Sequence, residues 1–312
     1  MTQITTPFGP QSTAADVIAG TDLTGRRAVV TGATGGLGRE TARALASAGA
    51  EVTVAGRTLK AATDVAQDIV AETGNPLTRA GHLDLADPAS VAAFAAEWRG
   101  PLHILVNNAG IMATPERHTP AGRELQFATN HLGHFTLALG LHDALTAAGD
   151  ARVVVVSSVG HVNGPVRFDD FDFTREPYDP WLAYAQSKTA NVLFAVEAAK
   201  RWAADGIVVN ALNPGRIWET GLGRHMDTPP ASFDPSGASG VTEKNIAQGA
   251  ATSVLLAASD LVEGVTGRYF EDCQEAGPHT PGVRRGVAAH AVDPDNARRL
   301  WDLSVRLTAG GQ

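Results

Sequence analysis

The stretch Tyr184-Ala185-Gln186-Ser187-Lys188 sets a phenol and an ammonium four residues apart, one turn from each other on the same face of a helix. A free tyrosine ionises near pKa 10, so a nearby cation must supply about 4 kcal/mol before the phenol can give and take a proton near neutrality. With three tyrosines and four lysines in 312 residues, only about 0.04 such pairs are expected by chance, the alternative being an exposed helix pair. Ser158 closes the apolar run RVVVVSS, at the C-terminal end of a strand, where a hydroxyl can hydrogen-bond a carbonyl group. Asn130, in the helical segment FATNHLGHF, could hold a water that relays a proton to Lys188, or be a mid-helix packing polar. His131, His134 and His161 lie in the same regions, yet no third ligand completes a zinc site. They read as packing or pocket residues, and no metal is expected.

These side chains need a scaffold, and a glycine turn points to it. Thr31-Gly32-Ala33-Thr34-Gly35-Gly36-Leu37-Gly38 follows a β-branched run and opens the helical stretch RETARALASAG, the strand–glycine–helix context of a dinucleotide turn. Gly32 permits the tight turn, Gly36 lets the backbone approach a pyrophosphate, and Gly38 allows close helix–strand packing. Thr34 and Leu37 belong to the same cradle. The second strand ends Val54-Ala55-Gly56-Arg57-Thr58. Gly56 stands where an NAD site usually places a carboxylate for the ribose 2′-hydroxyl, and Arg57 offers a fork of donors suited to a 2′-phosphate. The expected cofactor is NADP(H) rather than NAD(H), unless Arg57 is a solvated surface residue. An oxidised nicotinamide would add its positive charge to that of Lys188.

Short apolar runs recur at 27–31, 51–55, 103–107, 152–157 and 206–212, each followed by an alanine-rich stretch of helical length, with a weaker third strand ending at His82-Leu83-Asp84. Such alternation predicts βαβ units with right-handed crossovers. The expected fold class is α/β, a doubly wound parallel sheet (Rossmann fold) in a single domain with helices on both faces. Residues 1–25 read as an N-terminal arm with a capping box at Thr13 to Asp16, and 26–312 as the domain. The segments 159–181 and 215–242 break the rhythm and read as substrate loops, and a final helix spans about 293–307.

Composition narrows the function classes. The chain is 44% hydrophobic with a net charge of −8, which argues against disorder, general nucleic-acid binding and an anionic membrane surface. Cys273 is the only cysteine, so no internal disulfide forms and a reducing compartment is expected. No apolar run approaches the roughly 20 residues that span a bilayer. A cytoplasmic location without a membrane partner is the expectation.

Taken together, the residues resemble the short-chain dehydrogenase/reductase family over nearly the whole chain. Gly32, Gly36 and Gly38 match its TGxxxGxG turn, Asn107-Asn108-Ala109-Gly110 its NNAG, and Tyr184 with Lys188 its YxxxK. The resemblance implies Tyr184 as proton donor, Lys188 as the group that lowers its pKa and holds the nicotinamide ribose, Ser158 as the carbonyl's orienting partner, and Asn130 as the end of the relay. It also implies that Asp84 and Leu85 border the adenine, that Asn107, Ala109 and Gly110 lie along the cofactor, and that Pro214, Gly215 and Ile217 sit near the nicotinamide. NHLGHF, SSVGH, the long 159–181 segment and ARRLWDLS are similar to the branch holding retinol dehydrogenases, WW-domain oxidoreductase and protochlorophyllide reductase. In that branch the 159–181 residues would sit beside the substrate mouth. The family's PGxxxT reads here as Pro214 to Thr220 with the threonine displaced by one, while Trp218 and Arg216 could narrow the pocket and Met226 and Phe233 could wall it.

The implied activity is NADPH-dependent reduction of a ketone or aldehyde, reversible as alcohol oxidation, on a small-molecule substrate. Reduction of a conjugated C=C bond is the alternative within enzymes, and a non-catalytic NADP(H)-binding sensor or scaffold the alternative outside them. The family commonly assembles homo-oligomers through the helices carrying Asn130 and Tyr184, a surface that the arm and the Trp301 helix could equally cover.

Overall fold

The computed structural model describes residues 3–223, 240 and 243–309. Met226 and Phe233, and most of 224–242, lie outside the described residues. Eight strands form one sheet: β1 (Arg27–Thr31), β2 (Glu51–Gly56), β3 (Arg79–His82), β4 (Ile104–Asn107), β5 (Arg152–Val156), β6 (Val208–Asn213), β7 (Tyr269–Glu271) and β8 (Gln274–Glu275). Their order is β3-β2-β1-β4-β5-β6-β7-β8, with every pair parallel except the last. This is the doubly wound α/β sheet that alternation predicts.

The helices are α1 (Ala14–Ile18), α2 (Gly36–Ser47), α3 (Leu59–Thr73), α4 (Pro88–Glu97), α5 (Leu125–Phe127), α6 (Gly133–Gly140), α7 (His142–Thr146), α8 (Pro180–Arg201), α9 (Ile246–Ala258) and α10 (Pro294–Ala309). Alternate strand residues point to opposite faces, which sorts the core into two layers. Val30, Val52, Val106 and Val154 pack under α1, α2, α3 and α9. Val29, Leu105, Val153 and Val209 pack under α4, α6, α8 and α10. Trp301 of α10 stacks on Phe194 of α8 at 6.1 Å and meets Trp202 and Phe135 edge-on, so α10 covers one side of the helix that carries Tyr184.

The first 25 residues do not stand away from this body. Thr13 caps α1 in a reciprocal box with Asp16, and Ala14, Val17 and Ile18 are buried in the first core layer. Ahead of α1, Ile4 and Thr6 bond to Glu275 and Gln274 of β8. The 159–181 segment also differs from a loop at the mouth: Phe168 and Phe171 pack with Phe127, Leu193 and Leu300. Asp170 accepts from the amides of Thr174, Arg175 and Glu176, which folds the segment back on itself.

Candidate active site

The sheet's strand order reverses between β1 and β4, and in such sheets ligands bind in the crevice at the carboxyl ends of the strands. A cavity of about 800 Å³ opens there, within the size range of small-molecule sites. Gly32, Thr34, Gly36, Leu37 and Gly38 line it from the β1–α2 turn, and Arg57, Asp84 and Leu85 from the ends of β2 and β3. Ala109 and Gly110 line it after β4, Ser158 after β5, Tyr184 and Lys188 from α8, and Pro214, Gly215 and Ile217 after β6.

The glycines are explained by what surrounds them. Gly32 has φ +63°, and a Cβ on it would stand 2.8 Å from Ala109 Cα. A Cβ on Gly38 would lie 2.5 Å from Asn108 Nδ2 and 2.6 Å from the Gly32 carbonyl. Gly36 has φ +53° and faces the Thr220 methyl. Because α2 begins with no side-chain cap at Gly35 and the first amides of a helix have no partner within it, an anionic phosphate in the cavity would complete them. The cradle thus fits a dinucleotide pyrophosphate.

At the other end, burial of Tyr184 is nearly complete, and Ser158 lies with it on the cavity wall. A Cβ on Gly160 would come 2.9 Å from Tyr184 Cε1, so only glycine there admits the ring. Lys188 Nζ lies 5.7 Å from the Tyr184 ring centroid and donates to the Val156 carbonyl at 3.1 Å. Burial pushes the phenol up to about 12, partly offset by Ser158, and draws the ammonium down to about 8. Desolvation is the larger influence on both groups, opposing a charged phenol and a charged ammonium alike.

Two expected residues do not line the cavity. Asn130 is fully buried in a π-helical turn, Ala128–Leu132. Its Oδ1 accepts from the Ile111 amide at 2.9 Å, and its Nδ2 donates to the Ile111 carbonyl and to Ser187 Oγ. It still approaches Lys188 from behind Gly110, since a Cβ there would lie 3.4 Å from both Asn130 Oδ1 and Lys188 Nζ. Asn107 is likewise buried, and neither of its amide atoms finds a partner among the described residues. Its neighbour Asn108 takes the wall position and donates from Nδ2 to the Thr31 carbonyl. Consecutive residues at a strand end face opposite ways, and spacing alone could not tell which asparagine faces in.

The histidines prove to be struts. His134 Nδ1 donates to the Asn130 carbonyl at 2.9 Å, so its Nε2 accepts from Thr31 Oγ1 at 2.8 Å. That hydroxyl in turn accepts from the amides of Asn108 and Ala109. His161 Nε2 accepts from the Ala288 amide, which leaves Nδ1 to donate to the Ser158 carbonyl at 2.7 Å. Burial lowers both rings to about 4 and His131 to about 3, so all three are neutral in the physiological range. Among the described residues no cluster of His, Cys, Asp or Glu could hold a metal. None of their helices is long and apolar enough to cross a membrane.

Of the 159–181 segment only Val159 reaches the cavity wall among the described residues. The mouth is built instead by Met112, Pro115, Arg117, Trp218, Leu222 and Arg284. Arg284 had no signal in the sequence, because its loop has no periodicity.

A doubly wound sheet with a phosphate cradle at one end of its crevice and a buried tyrosine–lysine pair at the other defines a nicotinamide-binding oxidoreductase. The chain belongs to the short chain dehydrogenase family, whose sequence model matches residues 26–229. It is 58% identical over 293 residues to the "Probable oxidoreductase" of Streptomyces antibioticus, covering 90% of this chain and 97% of that one. It is 38% identical to human retinol dehydrogenase 13, over 91% and 85% of the two chains. Among solved structures, a gluconate 5-dehydrogenase from Burkholderia cenocepacia in complex with NADP and tartrate superposes with a TM-score of 0.64 at 27% identity, covering 82% of this chain and 96% of that one.

Proposed function

We propose that the protein interconverts a ketone or aldehyde and its alcohol with NADP(H), with Tyr184 as the general acid and base. The observation that carries this reading is the convergence of Ser158, Tyr184 and Lys188 on one cavity. Two hydroxyl groups so placed can bind one carbonyl oxygen, Ser158 orienting it and Tyr184 donating the proton. Lys188 supplies positive charge beside the phenol, and Asn130, buried behind Gly110 and bonded to Ile111 and Ser187, would act as a positioning residue for it. The cofactor, when bound, supplies or accepts the hydride. Relatives named for retinol and gluconate dehydrogenation support an alcohol–carbonyl couple.

The preference for NADP(H) rests on β2. A Cβ at Gly56 would stand 2.6 Å from the Thr34 methyl, so a ribose-binding carboxylate does not fit there without displacing Thr34. Arg57 is exposed on the cavity wall and makes no ion pair among the described residues, which leaves its fork for a 2′-phosphate. Gly32, Thr34, Gly36, Leu37 and Gly38 would hold the pyrophosphate, Asp84 and Leu85 the adenine, and Ala109, Gly110, Pro214, Gly215 and Ile217 the nicotinamide half.

Tyr184→Phe should lower kcat by at least a thousandfold while NADPH still binds, as measured by turnover and by cofactor fluorescence titration. Retained turnover would sink the assignment. Arg57→Ala should raise the NADPH KM at least tenfold and leave the NADH KM within about twofold, an Arg–phosphate pair being worth about 1.5–3 kcal/mol. Equal changes for both cofactors would refute the phosphate role. An enone substrate yielding the saturated ketone instead of the alcohol would redirect the chemistry to C=C reduction.

A further inference from the structure

The charged groups lining the cavity are Arg57, Asp84, Arg117, Lys188, Arg216 and Arg284, five cations and one carboxylate in a chain whose net charge is −8. Arg57 and Asp84 belong to the ends of β2 and β3, and Lys188 to the tyrosine pair. The remaining three, Arg117, Arg216 and Arg284, line the rest of the wall.

Arg284 stands out among them. Its neighbours absorb the nearby carboxylates: Arg285 pairs with Asp272 at 2.5 Å and with Glu271 at 3.6 Å, Lys244 with Asp272 at 2.7 Å, and Arg216 with Glu243 at 3.3 Å. Arg284 itself donates from Nη1 to the neutral amide oxygen of Asn163 at 3.1 Å and makes no ion pair among the described residues. Burial and the Arg216 charge both act against its guanidinium, and an arginine fork with spare donors is matched by a carboxylate. Asn163 holds it from the turn directly after Ser158, so the charge is fixed relative to that hydroxyl. Met112 and Leu222, both on the cavity wall, pack with Tyr184 and give the wall beside the phenol an apolar surface.

The position separates this charge from the cofactor's phosphates. Arg285, the next residue, is tied to the end of β7, and β7 lies five strands from β2 in the sheet, about 24 Å at 4.8 Å per strand. Arg57 and the α2 N-terminus occupy the other half of the crevice.

We infer that Arg284 anchors a carboxylate on the substrate, and that the protein acts on carbonyl compounds whose acid group is separated from the carbonyl by an apolar spacer. This rests on the carbonyl–alcohol reading above and adds the substrate's charge to it.

The test compares 4-carboxybenzaldehyde with its methyl ester under NADPH consumption. The wild type should favour the acid in kcat/KM by at least tenfold. Arg284→Gln should bring the ratio to about one by raising the KM of the acid, and Arg284→Lys should keep a weakened preference. An ester handled as well as the acid by the wild type, or an acid preference that survives Arg284→Gln, would overturn the inference. A second measurement does not need turnover: calorimetric titration of 4-(hydroxymethyl)benzoate into the protein with NADP⁺. Binding at least tenfold weaker in Arg284→Gln supports the anchor even if neither aldehyde is reduced, in which case the carbonyl chemistry alone has failed. Binding unaffected by Arg284→Gln, or absent in the wild type, removes the anchor.

Discussion

Burial draws the Lys188 ammonium from 10.5 to about 8, so the folded chain gives up that proton more readily than the unfolded one. Between those two values the unfolded state holds a proton the native state has lost, and stability rises with pH across that window. Below pH 8 the whole cost of the buried charge remains. Lys188→Met should therefore stabilise the protein at pH 7 by about 2 kcal/mol while abolishing activity, with the gain fading toward pH 10.5. The carbonyl that Lys188 leaves behind is not orphaned, because Asn191 Nδ2 also donates to Val156 O at 3.1 Å. Urea unfolding at pH 7 and pH 10 measures both values, and a variant less stable than wild type at pH 7 contradicts the account. The same burial explains why pairing Tyr184 with Lys188 was legible in the sequence but their ionisation was not. Four-residue spacing reports a shared helix face, whereas desolvation depends on Met112, Leu222 and Gly160, which come from distant segments.

Elements formed where local pattern and tertiary demand agreed. Strands β1, β2, β4, β5 and β6 carry runs rich in apolar residues and fall within a residue or two of their predicted spans. Strands β7 and β8 escaped notice because they are three and two residues long, joined by a tight turn with positive φ at Asp272 and Cys273. The π turn at Asn130 lies in a segment whose sequence predicts ordinary helix, since a single widened turn leaves no periodic trace. The β1–α2 turn was fully legible, and its geometry yields a prediction. Gly38→Ala sets a methyl 2.5 Å from Asn108 Nδ2, the group that holds the Thr31 carbonyl, and should cost about 1–3 kcal/mol and raise the NADPH KM at least tenfold. Gly35→Ala meets nothing within 4 Å and should keep the wild-type melting temperature. Equal melting of Gly38→Ala and wild type would show that the turn has slack.

At the scale of the molecule, the arm is continuous with the core. Val17, Ile18 and Leu23 are buried against the helices of the first layer, each contributing about 1.5–3 kcal/mol. Removing residues 1–25 should lower the melting temperature by roughly 10 °C or more, read by calorimetry, and an unchanged transition would show the arm to be an accessory. Its amino-terminal part reaches farther, with the Ile4 amide bonded to the Glu275 side chain, 271 positions along the chain. Translation runs at about 5–20 residues per second, so this segment leaves the ribosome on the order of tens of seconds before the strand it fastens. Until β8 emerges, the sheet has neither its last edge nor the strap across it, and a chaperone has that interval in which to act.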